Sequence, residues 1–391
     1  MMILKEVISK QIDSIKEELV KMSKKIFELS ELSYQEKKSS RLLSDFLENN
    51  GFTVERGVGG LETSFVAKIG EKKPKIALLA EYDALPAVGH ACGHNMIGVM
   101  SCGAAVGFKN AVKNIDFTLM VIGCPAEEHG AGKKDLIKAG IFDDIDVAMM
   151  IHPASMSTGY DIAYAIKRYK IEFFGKSAHA AADPSKGINA LDAMILLFSS
   201  IGLLRQQLPE KVRIHGIITN GGQSFNTIPE YTSAEIGIRA LTMEEVNFLE
   251  DKLRLLVQGA SAMSGCKNKI TVEEEMPEVY VNVPLANTLE KNYKLLGEKV
   301  TSRTYEQGVG STDMGAVTQI VPAIHGYINI TDGKDIPTHT REFAQAANSE
   351  YGYKAMIRAT KALAFTIYDI SSNKELLTEI KEYFSQRRRD F

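Results

Sequence analysis

The sequence predicts an α/β protein: a mostly parallel sheet with helices on both faces, plus an inserted α+β domain of ferredoxin-like order. Three observations predict it. Apolar runs at 76–80, 117–123 and 147–151 have the continuous hydrophobic character of strands buried on both faces, and helical stretches at 94–110 and 133–139 lie between them. From about Ile166 the order becomes strand, helix, strand, strand, helix, strand, ending near Glu275, which is the order of a small ferredoxin-like sandwich. After Pro277 the chain returns to helix, strand and helix, so the smaller domain reads as an insertion. A length of 391 residues suits two domains better than one core. The predicted boundaries are 1–165 with 278–391 for the larger domain and 166–277 for the inserted lid and dimerisation domain.

The elements follow in order. Ile8, Ile12, Ile15, Leu19, Met22 and Ile26 recur at spacings of three and four, one face of a long amphipathic helix. A second helix opens on the capping box Ser33-x-x-Glu36 and stops at Gly51. The stretch 96–108 is apolar and rich in Gly, Ala and Ser, which suits a helix packed closely in the core. In the inserted domain, strands are predicted at 169–174, 212–219, 231–241 and 269–275, with helices at 188–207 and 243–261. A helix at 285–296, a strand at 323–330 and one long final helix at 344–368 complete the larger domain.

Composition narrows the class of function. The 46 Lys and Arg nearly cancel the 49 Asp and Glu, so the basic excess of a nucleic-acid or anionic-membrane binder is missing. The run Arg387-Arg388-Arg389 reads as a solvated tail. Four scattered cysteines make no disulfide framework, the N-terminal stretch lacks the apolar core of a signal peptide, and no apolar run is long enough to span a bilayer. A reducing cytoplasm is the expected compartment.

The residues that can carry chemistry gather at one place in this order of elements. Past the strand at 76–80 come Glu81, Asp83, His90, Cys92 and His94; past 117–123 come Glu127 and Glu128; past 147–151 comes His152; past 323–330 comes His339. Each set lies beyond the C-terminal end of a strand, the edge at which open α/β sheets bind ligands. Singly, a Cys-x-His pair at a helix start, adjacent glutamates in a loop or a histidine after a strand are ordinary structural residues. Four of the eight histidines at this one edge, among Cys, Asp and Glu, point to a metal site.

The segments LLAEYDALPAVGHACGHN, PAEEHG, MMIHP, GKSAHAA and THTREF resemble the dizinc amidohydrolase and metallopeptidase family of aminoacylases, hippurate and p-aminobenzoyl-glutamate hydrolases and related dipeptidases, in its Cys-Gly-His branch. The likeness extends over nearly the whole chain. Glu81 and Asn95 stand where that branch has aspartates. The resemblance implies that Cys92, His94, Glu128, His152 and His339 bind two divalent ions, with Cys92 bridging. Zinc suits that donor set, with manganese or cobalt as alternatives. Placement of Cys92 at a helix start beside metal should lower its pKa. Asp83 is implied as the acidic residue that orients a ligand histidine, Glu127 as the general base, and His90 as a neighbour of the ligands. In the inserted domain His179 is implied to reach the active site of a second copy and stabilise the oxyanion, with Asn226 similarly placed toward substrate.

The expected activity is metal-dependent hydrolysis of the amide bond of a small N-acyl amino acid or dipeptide, by a homodimer or higher homo-oligomer paired through the lid, with no nucleic-acid or membrane partner. Two rival readings are a broader peptidase acting on short peptides and a metal-depleted binding relative; the second predicts a missing ligand or base, and none is missing.

Overall fold

The computed structural model describes residues 2–304 and 310–387, the side chain of Arg387 excepted; Arg388 and Arg389 of the predicted basic tail lie outside the described residues. Two compact units emerge. One comprises Met1–Ile162 and the chain from Val279 onward, apart from a short segment that ends at Gly315; that segment and Ala163–Glu278 form the other.

The first unit is built on a six-stranded sheet. Its strands are β1 (Thr53–Arg56), β2 (Phe65–Ile69), β3 (Lys75–Ala80), β4 (Thr118–Gly123), β5 (Val147–Ala154) and β10 (Ala323–Asn329), in the order β1-β2-β4-β3-β5-β10. Strands β4, β3, β5 and β10 are parallel, while β1 and β2 are antiparallel additions at one edge. The three apolar runs read from the sequence are the central strands, and β3 and β5 are buried almost throughout.

Helix α1 (Met2–Leu29) buries Ile8, Ile12, Leu19, Met22 and Ile26 of the predicted stripe, while Ile15 is half-buried. It packs on α3 (His94–Ala111), whose residues from His94 to Phe108 are all buried; α3 also touches β3, β4 and β5. The small side chains of α3 let these neighbours approach on several sides at once. Helix α2 is Lys37–Asn49 and α4 is Gly132–Lys138; α7 (Val283–Leu295), α8 (Met314–Ile320), α9 (Arg341–Ala346), α10 (Glu350–Ser372) and α11 (Lys374–Arg387) complete the set in the C-terminal part. The single final helix predicted at 344–368 is in fact broken. Helix α9 ends at Ala346, and Ser349 caps α10 by accepting the Gly352 amide.

The second unit holds β6 (Ala165–Phe174), α5 (Ala190–Leu204), β7 (Arg213–Asn220), β8 (Tyr231–Ala240), α6 (Met243–Ser264) and β9 (Lys267–Met276). Its sheet is antiparallel in the order β7-β8-β6-β9, the ferredoxin-like arrangement. The inner faces of α5, α6 and the sheet share one core around Tyr169, Phe173, Leu197, Ile236 and Leu253. Among the described residues no helix is long and apolar enough to cross a membrane, and all four cysteines are free thiols.

Candidate metal centre

Strands β3 and β4 end level with each other, Ala80 opposite Gly123, so the loops that follow them start side by side. After β3 the chain passes through Glu81 and Asp83 and enters α3 at Cys92-Gly93-His94. Gly93 is the N-cap, at φ 79, and a Cβ built on it would lie 2.7 Å from Pro153 Cγ. Only glycine permits that approach, and the approach sets Cys92 and His94 against His152 at the end of β5. After β4, the turn Pro125–Gly132 carries Glu127 and Glu128; a Cβ on Gly132 would sit 1.9 Å from the Pro125 carbonyl oxygen, so the turn closes on itself at a glycine. The loop after β10 brings His339, whose amide donates to the Ala91 carbonyl at 2.8 Å. Both Ala126 (φ 58) and His339 (φ 64) hold the left-handed backbone that residues with a Cβ seldom adopt.

Six of the predicted side chains from the first unit converge. Cys92, His94 and His152 offer three donor atoms within 4.8 Å of one another, and so do Cys92, Glu128 and His339. Cys92 belongs to both sets. A third set joins His94, Glu127 and Glu128. Cys92 Sγ lies 3.5 Å from His152 Nε2, and Glu128 Oε2 lies 3.4 Å from His339 Nε2. His94 Nε2 faces Glu128 Oε1 at 3.8 Å and Glu127 Oε2 at 3.9 Å. The imidazole of His339, 56% exposed, is the open donor; the others are enclosed.

Hydrogen bonds choose the tautomers. His94 Nδ1–H donates to Asp83 Oδ1 at 2.9 Å, and His152 Nδ1–H donates to the Pro153 carbonyl at 2.7 Å. Both rings thereby turn Nε2 into the cage. Asp83 Oδ2 accepts in addition from Ser33 Oγ at 2.8 Å and the Glu128 amide at 3.0 Å. His90 is turned away: its Nε2 bonds the Ile26 carbonyl at 3.0 Å, so it belongs to none of the donor sets.

The electrostatics follow from this crowding. Burial would raise the Asp83 carboxyl, but the His94 imidazole, the Glu128 amide and the Ser33 hydroxyl hold it down at about 2. Burial would lower His94, yet Asp83, Cys92 and Glu81 around it hold its proton well above the ordinary histidine value. Burial, then the nearby His325 and His94, press His152 down to about 3, which keeps that ring neutral. Without a cation, Cys92 is held protonated. Burial, with Glu128 adding to it, pushes the thiol up, and the His94 imidazole only partly offsets them. Its thiolate requires a cation alongside.

Three buried polar atoms of this cage, His94 Nε2, Glu81 Oε2 and Glu128 Oε1, have no hydrogen-bond partner. A buried polar atom left without a partner is costly, and a cation, taking the place of the proton on His94 Nε2, would satisfy several at once. Thiolate, imidazole and carboxylate in two donor sets sharing a sulfur fit two divalent ions.

The two remaining candidates lie in the second unit. His179 is exposed, and its Nδ1 accepts the amides of Ala181 and Ala182 at 3.2 Å each, so the neutral ring carries its proton on Nε2. The Ala180 amide donates to the Asn226 carbonyl at 2.9 Å, which brings Asn226 beside it.

Sequence reasoning missed Lys133. Its ammonium is wholly buried and paired with Glu81 Oε1, and this contact holds Glu81 below the ordinary carboxylate value against the pull of burial. Nothing in Lys133-Lys134 distinguishes the buried lysine from its neighbour. Asn95 also resolves: its amide ties α1 to the break before α10 through Ser23 Oγ and the Ala347 carbonyl.

Comparison with known proteins adds an independent line. The chain is 36% identical over 401 residues to a Xaa-Arg dipeptidase of Mus musculus, covering 98% of this chain and 92% of that one. Residues 164–261 match the peptidase dimerisation domain of the M20 peptidases. The chain belongs to the M20 peptidase family. A p-aminobenzoyl-glutamate hydrolase chain of Escherichia coli is 33% identical over 274 residues, 65% of this chain and 57% of that one. The crystal structure of a dinuclear metal binding peptidase of the M20 family from Bacillus subtilis superposes with a TM-score of 0.72 at 20% identity, covering 91% of this chain and 99% of that one. The M20 fold thus accounts for both units, the mixed sheet with helices on both sides and the ferredoxin-like insertion.

Proposed function

We propose that this M20 enzyme hydrolyses the amide bond of a dipeptide or small N-acyl amino acid at two divalent metal ions, zinc by donor chemistry. One observation carries the reading: two donor sets share the Cys92 sulfur, and a further carboxylate, Glu127, stands beside them. Bound ions polarise the scissile carbonyl and lower the pKa of an attacking water.

The chain's own residues divide the remaining work. Cys92, His94, Glu128, His152 and His339 hold the ions. Asp83 keeps the His94 proton on Nδ1, away from them. Glu127 takes the proton of the attacking water and returns it to the departing amine. Its neighbour Glu128 is held by its backbone amide on Asp83, so the two adjacent carboxylates can serve separate ends. His179, with Nε2–H outward, donates to the oxyanion in the site of a second copy, and Asn226 beside it contacts substrate. The match to a dimerisation domain supports a homodimer. Four free thiols suit a reducing cytoplasm. The dipeptidase relative favours dipeptides as the first substrates to assay, and the hydrolase relative favours N-acyl amino acids as the second.

The test is metal removal. Chelator-treated protein should lose hydrolysis of a panel of dipeptides and N-acyl amino acids and regain it with about two divalent ions per chain. Full activity in metal-free protein would end the reading.

A further inference from the structure

The Ser33-x-x-Glu36 pattern does not cap α2. Helix α2 begins one residue after Glu36, which makes no side-chain cap bond to it. The second and third amides of the helix go instead to Glu31, which accepts from Lys38 N at 3.1 Å and Ser39 N at 2.8 Å. Ser33 and Glu36 are left for other work, and both turn toward the β4–α4 turn. Glu36 Oε1 accepts the Ala126 amide at 2.9 Å, and Ser33 Oγ accepts the His129 amide at 3.2 Å while donating to Asp83. Asp83 in turn holds the Glu128 amide.

Ala126 is the residue that makes this arrangement informative. It is buried and left-handed, a conformation that persists only where the surroundings enforce it. The β4 ladder has ended by Cys124, whose amide bonds Ala80, and α4 has not begun. Side chains therefore hold the amides of Ala126, Glu128 and His129. Glu36 is itself fixed from two further directions, by the Tyr34 amide and the Thr63 hydroxyl, both at 2.9 Å.

We infer that Glu36, assisted by Ser33, is a positioning residue that holds the left-handed turn at Ala126 and thereby aims the Glu127–Glu128 pair. It touches neither substrate nor metal. The inference rests on the roles proposed above for that pair. Geometry alone fixes the expected signature: a loosened turn misplaces the base, and misplacement near 1 Å can cost about 100-fold in rate.

Three variants test it. In Glu36→Met, hydrogen exchange of the segment 125–132, followed by mass spectrometry on the metal-loaded protein, should quicken by about tenfold or more, because the opening of that turn no longer breaks an amide bond. The same variant should keep about two ions per chain, lose kcat by about 10- to 100-fold and leave KM within about threefold. Glu36→Gln retains a carbonyl acceptor for the Ala126 amide, so it should exchange and turn over within about threefold of the parent. Unchanged exchange at 125–132 in Glu36→Met would overturn the inference, as would a Glu36→Gln variant as slow as Glu36→Met. Should Glu36→Met fail to fold, Ser33→Ala removes the single bond to His129 and must loosen the same segment. The exchange readout does not depend on activity. A fully active Glu127→Gln with a loosened Glu36→Met turn would refute the role of Glu127 and leave the clamp standing.

Discussion

Asp83→Asn should separate the stability of this site from its affinity for metal. The Asp83 carboxylate receives three donors: His94 Nδ1–H on one oxygen, and the Ser33 hydroxyl and Glu128 amide on the other. Asparagine has one oxygen. Where two donors converge that oxygen stays, and the new NH2 group then faces His94 Nδ1. Two donors cannot share that contact, so the ring must bare Nδ1 and carry its proton on Nε2, the atom turned toward Glu127 and Glu128. A protonated Nε2 cannot ligate. The Ser33 and Glu128 bonds survive the change, so folding should suffer little. The lost charge-assisted bond is worth about 1.5–3 kcal/mol, and loss of such outer partners lowers metal affinity by about 10- to 100-fold. At about 1.4 kcal/mol per decade the two estimates agree. Asp83→Ala gives the contrast. It strands the Ser33 and Glu128 donors and should be the less stable variant, yet it leaves His94 free to choose either tautomer. Competition of each apo-protein with a chromophoric chelator for zinc should therefore rank parent, Ala, Asn, while urea midpoints rank parent, Asn, Ala. Asparagine binding within about twofold of the parent, or equal affinities for the two variants, would refute the tautomer argument.

Glu127→Gln should keep its ions and lose about 10²- to 10⁴-fold in kcat, whereas Glu128→Gln should lose an ion; equal metal loss in both, by elemental analysis, would reverse the assignment. Lys133→Met strands a buried carboxylate at Glu81 and should cost about 3–5 kcal/mol, and a cycle with Glu81→Gln should show coupling of about 1 kcal/mol or more; additive effects would mean the pair is not coupled. Asp161 accepts from Arg303 at 2.6 Å, His325 Nδ1 at 2.7 Å and the Tyr327 hydroxyl at 2.9 Å; burial opposes its ionised form, but these neighbours hold its carboxyl below the ordinary 3.8. A folded value below the unfolded one contributes stability that is complete above pH 3.8 and lost as pH falls through the lower folded value. Urea midpoints of Asp161→Asn should thus fall less steeply than the parent's below that pH, and parallel curves would contradict this. Mixing His179→Ala with Glu127→Gln under conditions that let chains exchange should restore part of the activity that each lacks alone, because one site of the mixed dimer then has both groups; no recovery would confine His179 to its own chain.

Much of this was legible in the residues, and the failures have physical causes. The donor cluster could be read because its members follow strands whose apolar runs are unmistakable, and chain order then brings them to one edge. Strands β1 and β2 escaped notice: four half-exposed residues, Thr53–Arg56, carry too few alternations to reveal a period. The break before α10 was hidden by apolar residues that continue at helical spacing across it, although Ser349 followed by Glu350 is a readable N-terminus. Ser33 and Glu36 have the spacing of a capping box, but spacing cannot show that Glu31 reaches the helix first. The rise of the metal-free Cys92 thiol depends first on its burial and then on the carboxylate of Glu128 beside it, which only packing decides.

The pairing of Ile166 with Met276 places the first and last strands of the second unit side by side, β6 against β9. This has a consequence for how the chain assembles. Strands β5 and β10 are neighbours in one sheet, His152 opposite Tyr327, although the whole second unit lies between them in sequence. In an unfolded chain that pairing would close a very long loop. Once the second unit has folded by itself, its two ends already meet, and the loop still to be closed is roughly a third as long, which lowers the entropic barrier by about 1 kcal/mol. The insertion therefore acts on its host as a short tether, and His339, the last donor in the chain, reaches the cage along a path that the insertion's own sheet has shortened.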